Sequence, residues 1–268
     1  MTLLYAIVLG ILQGATEFLP VSSSGHLFLV QRLLGLREPE LAFDTLLHVA
    51  TLLAVVVFLR REIGEILRSL FRRRRFPAAD DTAAWGRRDV LLVIVSMIPT
   101  GIIGLLFHDA VETGITVRGV GIRYTVLTGF LLLSSLRLRH KADPERIEVW
   151  EAFAIGVIQG AAVFPGLSRS GSTISLALVL GIGASRSARY SFMISLPAIL
   201  GAALVNLHKG VSVLPPFVPS AAGFLCATIV GYLALLVVER LVTRGRFTRF
   251  APYTLLLAGL CFYLGWKG

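Results

Sequence analysis

Apolar residues in this chain come in long runs rather than in alternation with polar ones. Stretches at about 41–59, 89–107, 118–138, 187–206, 216–239 and 250–266 each approach the ~20 residues an α-helix needs to cross a bilayer. No series of ~10-residue alternating segments, the mark of a membrane barrel, is present. The pattern predicts six transmembrane helices. Two further apolar segments, about 2–36 and 149–182, are interrupted near the middle, one by Pro20 and a Ser/Gly run, the other by Pro165-Gly166 and a second such run. Proline removes a backbone donor and disfavours helix in the residue before it, so each segment reads as helix, break, helix.

These two broken segments repeat one another. Without a gap, Gly10 superposes on Gly156, Gln13 on Gln159, Gly14 on Gly160, Phe18 on Phe164, Ser22 on Ser168, Ser24 on Ser170 and Gly25 on Gly171. Read as single crossings, each pair of half-helices has roughly 34 residues for a ~30 Å core, too many at 1.5 Å per residue. Read as re-entrant hairpins they fit, and three spans between equivalent points then invert the second copy relative to the first. The expected fold is an all-α integral membrane protein of six transmembrane helices plus two re-entrant hairpins in an inverted-topology repeat. One membrane domain covers 1–268, with repeat 1 at about 1–138 (hairpin 2–36) and repeat 2 at about 149–268 (hairpin 149–182). GxxxG spacing at Gly10…Gly14 and Gly156…Gly160 permits close helix approach and predicts that the hairpins pack together.

Composition agrees with a membrane protein. Hydrophobic residues make up 55% and charged residues 16%, against ~25% charged in soluble domains, and the mean hydropathy is +0.78. The net charge of +10 does not indicate nucleic acid, because the basic residues lie between apolar runs. Arg60, Arg61, Arg68, Arg72 to Arg75, Arg87 and Arg88 fill one connection; Arg137, Arg139, Lys141 and Arg146 a second; Arg240, Arg244, Arg246 and Arg249 a third. The opposite connections hold Asp109, Glu112 and Lys209, so the basic set is expected on the cytoplasmic side. Cys226 and Cys261 lie within apolar runs with no CxxC or His neighbours and read as packing residues. The N-terminal stretch lacks a basic n-region and contains Gln13 and Glu17, so it is expected to be retained.

Polar groups at membrane depth are costly and by default functional. Gln13 and Glu17, four residues apart, share a helix face just before the first break; metal ligation, acid/base work and helix capping all suit them. After the break, the serines Ser22 to Ser24 can cap the next helix, while His26 can act as nucleophile or proton donor. In the second hairpin, Ser168, Ser170, Ser172, Thr173 and Arg169 combine hydroxyls, a helix N-terminus and a guanidinium fork, which together describe a phosphate cradle. The competing arrangement is an intramolecular Glu17–Arg169 bridge; either one brings the hairpins together. Asp44, His48, Ser191 and Ser195 are secondary candidates for the walls of such a site.

The paired motifs, Gln13-x-x-x-Glu17 with Pro20-Val-Ser-Ser-Ser-Gly-His26, and Pro165-Gly-Leu-Ser-Arg-Ser-Gly-Ser-Thr173, resemble those of the bacterial undecaprenyl-diphosphate phosphatase, or bacitracin-resistance, family. The resemblance implies hydrolysis of the terminal phosphate of a polyprenyl diphosphate, with a divalent cation (Mg²⁺ or Ca²⁺), so that the lipid carrier returns to cell-wall synthesis. It also implies a multi-pass protein of the bacterial inner membrane, usually dimeric, with its site facing the periplasm. Carried onto this chain, the catalytic positions are Glu17, His26, Arg169, Ser22 and Ser23, the phosphate-binding positions Ser168, Arg169, Ser170 and Thr173, and the metal positions Glu17 and Gln13. The first acidic-motif position is Gln13, so a two-carboxylate metal site is not expected and the weight falls on Glu17. A lipid-phosphate transporter is the alternative, since inverted repeats and broken helices are shared with carriers. The Ser24-Gly-His26 segment also resembles the phosphatidic-acid-type phosphatases, but their downstream Ser-Arg-x5-His has only Ser185-Arg186 here, with Phe192 where His belongs.

Overall fold

The structure, a computed structural model, describes residues 2–33, 41–71, 85–107, 115–136, 145–208 and 216–267. Among these residues there are helices and connecting turns and no strand. The helices are α1 (Leu3–Phe18), α2 (Ser23–Leu33), α3 (Leu41–Phe58), α4 (Arg60–Phe71), α5 (Arg87–Leu106), α6 (Val117–Leu133), α7 (Val149–Ala161), α8 (Arg169–Val179), α9 (Ala184–His208), α10 (Phe217–Thr243) and α11 (Ala251–Lys267), the last preceded by a 3-10 turn at Phe247–Phe250.

Among the described residues four helical stretches are long and apolar enough to cross a membrane: Arg87–Leu106, Ala184–Asn206, Phe217–Thr243 and Phe247–Trp266. Ala42–Phe58 joins them if it is counted with Arg60–Phe71, from which it is bent by 72°. The sequence pattern did not show α4, whose Arg60, Arg61 and Arg68 were read as a basic connection. It is an amphipathic helix, and the bend lets its polar side leave the hydrocarbon. Arg72 to Arg75, Asp109, Glu112, Arg137, Arg139, Lys141 and Lys209 lie outside the described residues.

Both predicted breaks are present. The limbs α1, α2, α7 and α8 have 16, 11, 13 and 11 residues, each short of the ~20 needed for a crossing. Within each pair the limbs touch. At the first break Ser22 takes the left-handed region (φ 64°), and at the second Gly166 does so (φ 100°). Ser168 caps α8, its Oγ accepting from Gly171 N at 3.1 Å.

The GxxxG faces do not join hairpin to hairpin. α1 packs along α10 and α7 along α5, so each hairpin lies against a long helix of the opposite half of the chain. A Cβ on Gly10 would collide with the Gly223 carbonyl, and one on Gly14 would lie 2.7 Å from the Ala227 carbonyl oxygen. A Cβ on Gly156 would collide with the Ser96 backbone, and one on Gly160 would lie 2.9 Å from Ile103 Cβ. Across the second contact Ser96 Oγ donates to Ala152 O at 2.7 Å and Thr100 Oγ1 to Gly156 O at 2.8 Å, interhelical bonds of the kind that hold helices where lipid offers no hydrophobic drive.

Leucines and isoleucines are exposed along α5 (Leu91, Ile94, Ile98, Ile102), α10 (Leu225, Ile229, Leu233) and α11 (Leu255, Leu256, Leu260). Buried polar residues sit inside instead, the reverse of a water-soluble domain. Charged groups gather where α3 turns into α4, α5 begins, α9 begins and α10 ends. There Arg186 pairs with Asp89 and lies 3.9 Å from the Trp85 ring centroid, while Arg189 pairs with Glu62 and with Glu239. Arg88 reaches Glu148 at 3.6 Å. The described parts of the three basic connections therefore share one end of the bundle.

Candidate active site at the crossing of the two breaks

Glu17 occupies the last turn of α1, one helical turn beyond Gln13. Its Oε2 accepts from Gln13 Nε2 at 2.9 Å and from Ser23 Oγ at 2.8 Å, and its Oε1 accepts from Arg169 Nη2 at 2.5 Å. A carboxylate and a guanidinium from two halves of the chain, 152 residues apart, thus meet inside the bundle, and only 15% of the Arg169 side chain is exposed. Because an ionised carboxylate only accepts, the amide nitrogen of Gln13 must face Glu17. That nitrogen is also 3.0 Å from His48 Nδ1, so the Nδ1 lone pair accepts and the ring proton belongs on Nε2.

The breaks are stitched together by backbone. Ser22 Oγ accepts from Gly25 N at 3.3 Å and from Gly166 N at 3.0 Å, while Ser168 Oγ and Ser170 Oγ each point at Leu19 O, 3.4 Å away. The left-handed φ of Ser22 is a strained position for a residue with a Cβ. It turns the Oγ toward the other hairpin.

A cavity of about 630 Å³ opens from this crossing. Glu17, Ser22, Ser23, Ser24, His48, Ser168 and Arg169 line its polar end, and it runs on between α5 and α9 past Met97, Gly101, Gly104, Ile199 and Gly201. Arg169 Nη1 is buried with no partner, and the N-terminus of α8 lies beside it. Anions are stabilised in such a setting by unpaired N–H groups and the helix dipole.

Four expected site residues do not line the cavity: Gln13, wholly buried against Glu17, and His26, Ser170 and Thr173. His26 sits behind the break, its Nδ1–H donating to Ser22 O at 2.8 Å and its Nε2 2.7 Å from Tyr253 Oη, with the two rings stacked at 5.8 Å. Ser170 is turned to Leu19 O, and Thr173 Oγ1 bonds to Arg169 O at 2.8 Å and Ser191 Oγ at 2.6 Å. Of the secondary candidates, His48 reaches the cavity, whereas Ser191 holds Thr173 and Ser195 donates to Phe192 O at 2.6 Å. Thr45, Thr100, Gln159 and Asn206 also line the cavity. Nothing in their local sequence marks them apart from Gln159, which the internal repeat pairs with Gln13.

Among the described residues no three of His, Cys, Asp and Glu come together as a metal cluster. The donors here are one carboxylate (Glu17), one amide oxygen with no partner (Gln13 Oε1) and hydroxyls. This set fits a hard divalent cation that takes its remaining ligands from phosphate oxygens and water.

The sequence pattern of the family described as Bacitracin resistance protein BacA matches residues 6–260. A protein named undecaprenyl-diphosphatase from Desulfosudis oleivorans is 41% identical over 97% of this chain and 98% of its own length. Proteins of the same name from Syntrophotalea carbinolica and Bacteroides thetaiotaomicron are each 40% identical, covering 98% and 97% of this chain and the same shares of their own. With a match of this extent, the chain belongs to the bacitracin resistance protein BacA family.

Proposed function

We propose that this protein is an undecaprenyl-diphosphate phosphatase, releasing the terminal phosphate of the lipid to leave undecaprenyl phosphate. The single observation that carries the chemistry is the Ser23–Glu17–Arg169 chain in the cavity wall. Ser23 Oγ already donates to Glu17 Oε2 at 2.8 Å, a hydroxyl nucleophile beside its base. Arg169 holds Glu17 from the far side. When a diphosphate enters, the unpartnered Nη1 of Arg169 takes a phosphate oxygen while Nη2 stays on Glu17 Oε1, and Glu17 Oε2 takes the Ser23 proton. Ser23 Oγ then bonds to the terminal phosphorus, the bond from phosphorus to the bridging oxygen breaks, and prenyl phosphate leaves with the proton that Glu17 took, which restores the carboxylate. Water afterwards cleaves the serine phosphate with Glu17 as base. Arg169, Ser168 and the α8 N-terminus stabilise charge on the transferred phosphoryl group. A divalent cation bound by Glu17 and Gln13 would neutralise the diphosphate and polarise its phosphorus–oxygen bonds. His26 acts as a positioning residue, fixing the Ser22 carbonyl through Nδ1, and Ser22 joins the breaks. Ser170 and Thr173 support the phosphate-binding turn from behind.

The same reading takes α3, α5, α6, α9, α10 and α11 as six crossings and the pairs α1/α2 and α7/α8 as re-entrant hairpins, within one membrane domain of two inverted halves. The arginine-rich end is cytoplasmic by charge. The protein is then a multi-pass component of the bacterial inner membrane with its cavity open to the periplasm, and works as a homodimer. The decisive experiment is phosphate release from undecaprenyl diphosphate by purified protein in detergent, with and without Mg²⁺ or Ca²⁺. Release that requires metal and is lost in Glu17→Ala supports the enzyme. No release by the parent protein would favour a lipid-phosphate carrier instead.

The apolar arm of the cavity suits an isoprenoid tail. A Cβ on Gly101, Gly104 or Gly201 would meet nothing within 4 Å, so these positions leave a smooth trough between α5 and α9. Gly201→Phe is expected to raise KM for the long-chain substrate about tenfold while leaving a short, water-soluble prenyl diphosphate within about twofold. Steady-state kinetics on the two substrates check this. An equal loss on both would place the tail elsewhere.

A further inference from the structure

Gln159 lies near the end of α7, on the cavity wall and only 4% exposed. Its Nε2 has two neighbours, Thr100 Oγ1 at 3.3 Å and Ile194 O at 3.4 Å. Both are acceptors. A carbonyl can be nothing else, and the one proton of Thr100 is directed at Ser96 O and Gly156 O, each 2.8 Å away. The amide is therefore fixed with its nitrogen on these groups, and its Oε1 is left buried without a protein donor.

Gln13, the equivalent residue of the first copy, is arranged alike. Its nitrogen serves Glu17 and His48, and its Oε1 is also buried and unpartnered. Position 194 is the counterpart of His48 under the offset that carries Gln13 to Gln159. Each copy thus ties an amide nitrogen to the same place on the next long helix and leaves the oxygen unsatisfied. Leaving a buried amide oxygen without a hydrogen-bond partner is costly. Two at equivalent positions, Gln159 on the cavity wall and Gln13 against Glu17, which lines it, point to a ligand that supplies what the protein withholds.

That ligand must bring a proton donor or positive charge. If the guest is a diphosphate, as the proposed function has it, phosphate oxygens would repel Gln159 Oε1 unless something cationic stood between them. No carboxylate cluster surrounds the cavity among the described residues, so a cation there must rely on neutral oxygens, which hard divalent ions accept. We infer that Gln159 Oε1 is a ligand, directly or through one water, of a divalent cation that accompanies the diphosphate on the second hairpin's side of the cavity.

The test is Mn²⁺ binding by electron paramagnetic resonance on the full-length protein in detergent, alone and with inorganic pyrophosphate, for the parent, Gln159→Glu and Gln159→Met. The glutamate variant is nearly isosteric and decides by sign. Next to a cation it tightens Mn²⁺ about tenfold, whereas beside bare phosphate it repels pyrophosphate and weakens binding. The methionine variant is expected to weaken Mn²⁺ about tenfold; should it fail to fold, the glutamate variant decides alone. Unchanged Mn²⁺ affinity in Gln159→Glu, or weaker pyrophosphate binding at saturating Mn²⁺, would overturn the inference. Binding is read without turnover. A parent that never releases phosphate, yet whose Mn²⁺ affinity rises in Gln159→Glu, would sink the phosphatase reading and leave the cation ligand standing.

Discussion

Arg169→Lys lowers phosphate release by about 10²–10³-fold while the protein remains folded. The guanidinium has two tasks that a lysine cannot perform together. Its Nη2 sits 2.5 Å from Glu17 Oε1, and its Nη1 is buried with no partner, one arm on the internal base and one available to a phosphate oxygen. A lysine ammonium is a point charge on a flexible stem and does not reproduce the planar fork. The charge is conserved, so Glu17 keeps a counter-ion and folding is largely spared. In Arg169→Ala, by contrast, Glu17 loses its ion pair, and leaving one partner of a buried pair alone costs about 3–5 kcal/mol. The measurement is kcat on undecaprenyl diphosphate beside a melting curve in detergent. Lysine turnover near the parent's would remove the fork from the transition state, and a melting point as low as the alanine variant's would make Arg169 structural.

Gly156→Leu is expected to destabilise the protein by about 3 kcal/mol or more, the upper end for overpacking. The obstacle is backbone. A Cβ at Gly156 would strike the Ser96 main chain, and α5 cannot yield by changing a rotamer. Moving the helices apart would stretch the Thr100–Gly156 and Ser96–Ala152 bonds, now 2.8 and 2.7 Å. Gly10→Leu should behave alike against Gly223, since α1 leans on α10 as α7 leans on α5. Gly259→Leu on α11, where an added Cβ meets nothing within 4 Å, is the control. A melting temperature lower by about 10 °C in the first two variants and unchanged in the third checks the packing. Equal tolerance at all three sites would mean that the hairpins do not seat against these helices.

The positions of the breaks, the copying of one hairpin in the other and the membrane character were legible because they rest on local rules: proline and glycine chemistry, run length and charge between runs. Glu17, Arg169, Ser23 and Ser168 were legible as well, since polar groups stand out against hydrocarbon. His26 stood out equally, yet it lies behind the break against Tyr253. That shows the limit of the signal: an unusual residue marks a place, and its direction depends on helix phase and on a partner 227 residues away. His48, Thr100 and Gln159 reach the cavity from three different helices, and no window of sequence contains that convergence.

The small-residue stripes are the sharpest case. Spacing alone determined that Gly10, Gly14, Gly156 and Gly160 allow a close helix neighbour, because a missing Cβ is a property of the residue. Which helix comes close was decided only by the tertiary arrangement, in which each hairpin crosses to the opposite half and packs on α10 or α5. The physical reason is that contact surfaces in a bilayer are chosen by shape among many similar apolar faces, whereas breaks, charges and repeats are written in the chain before it folds.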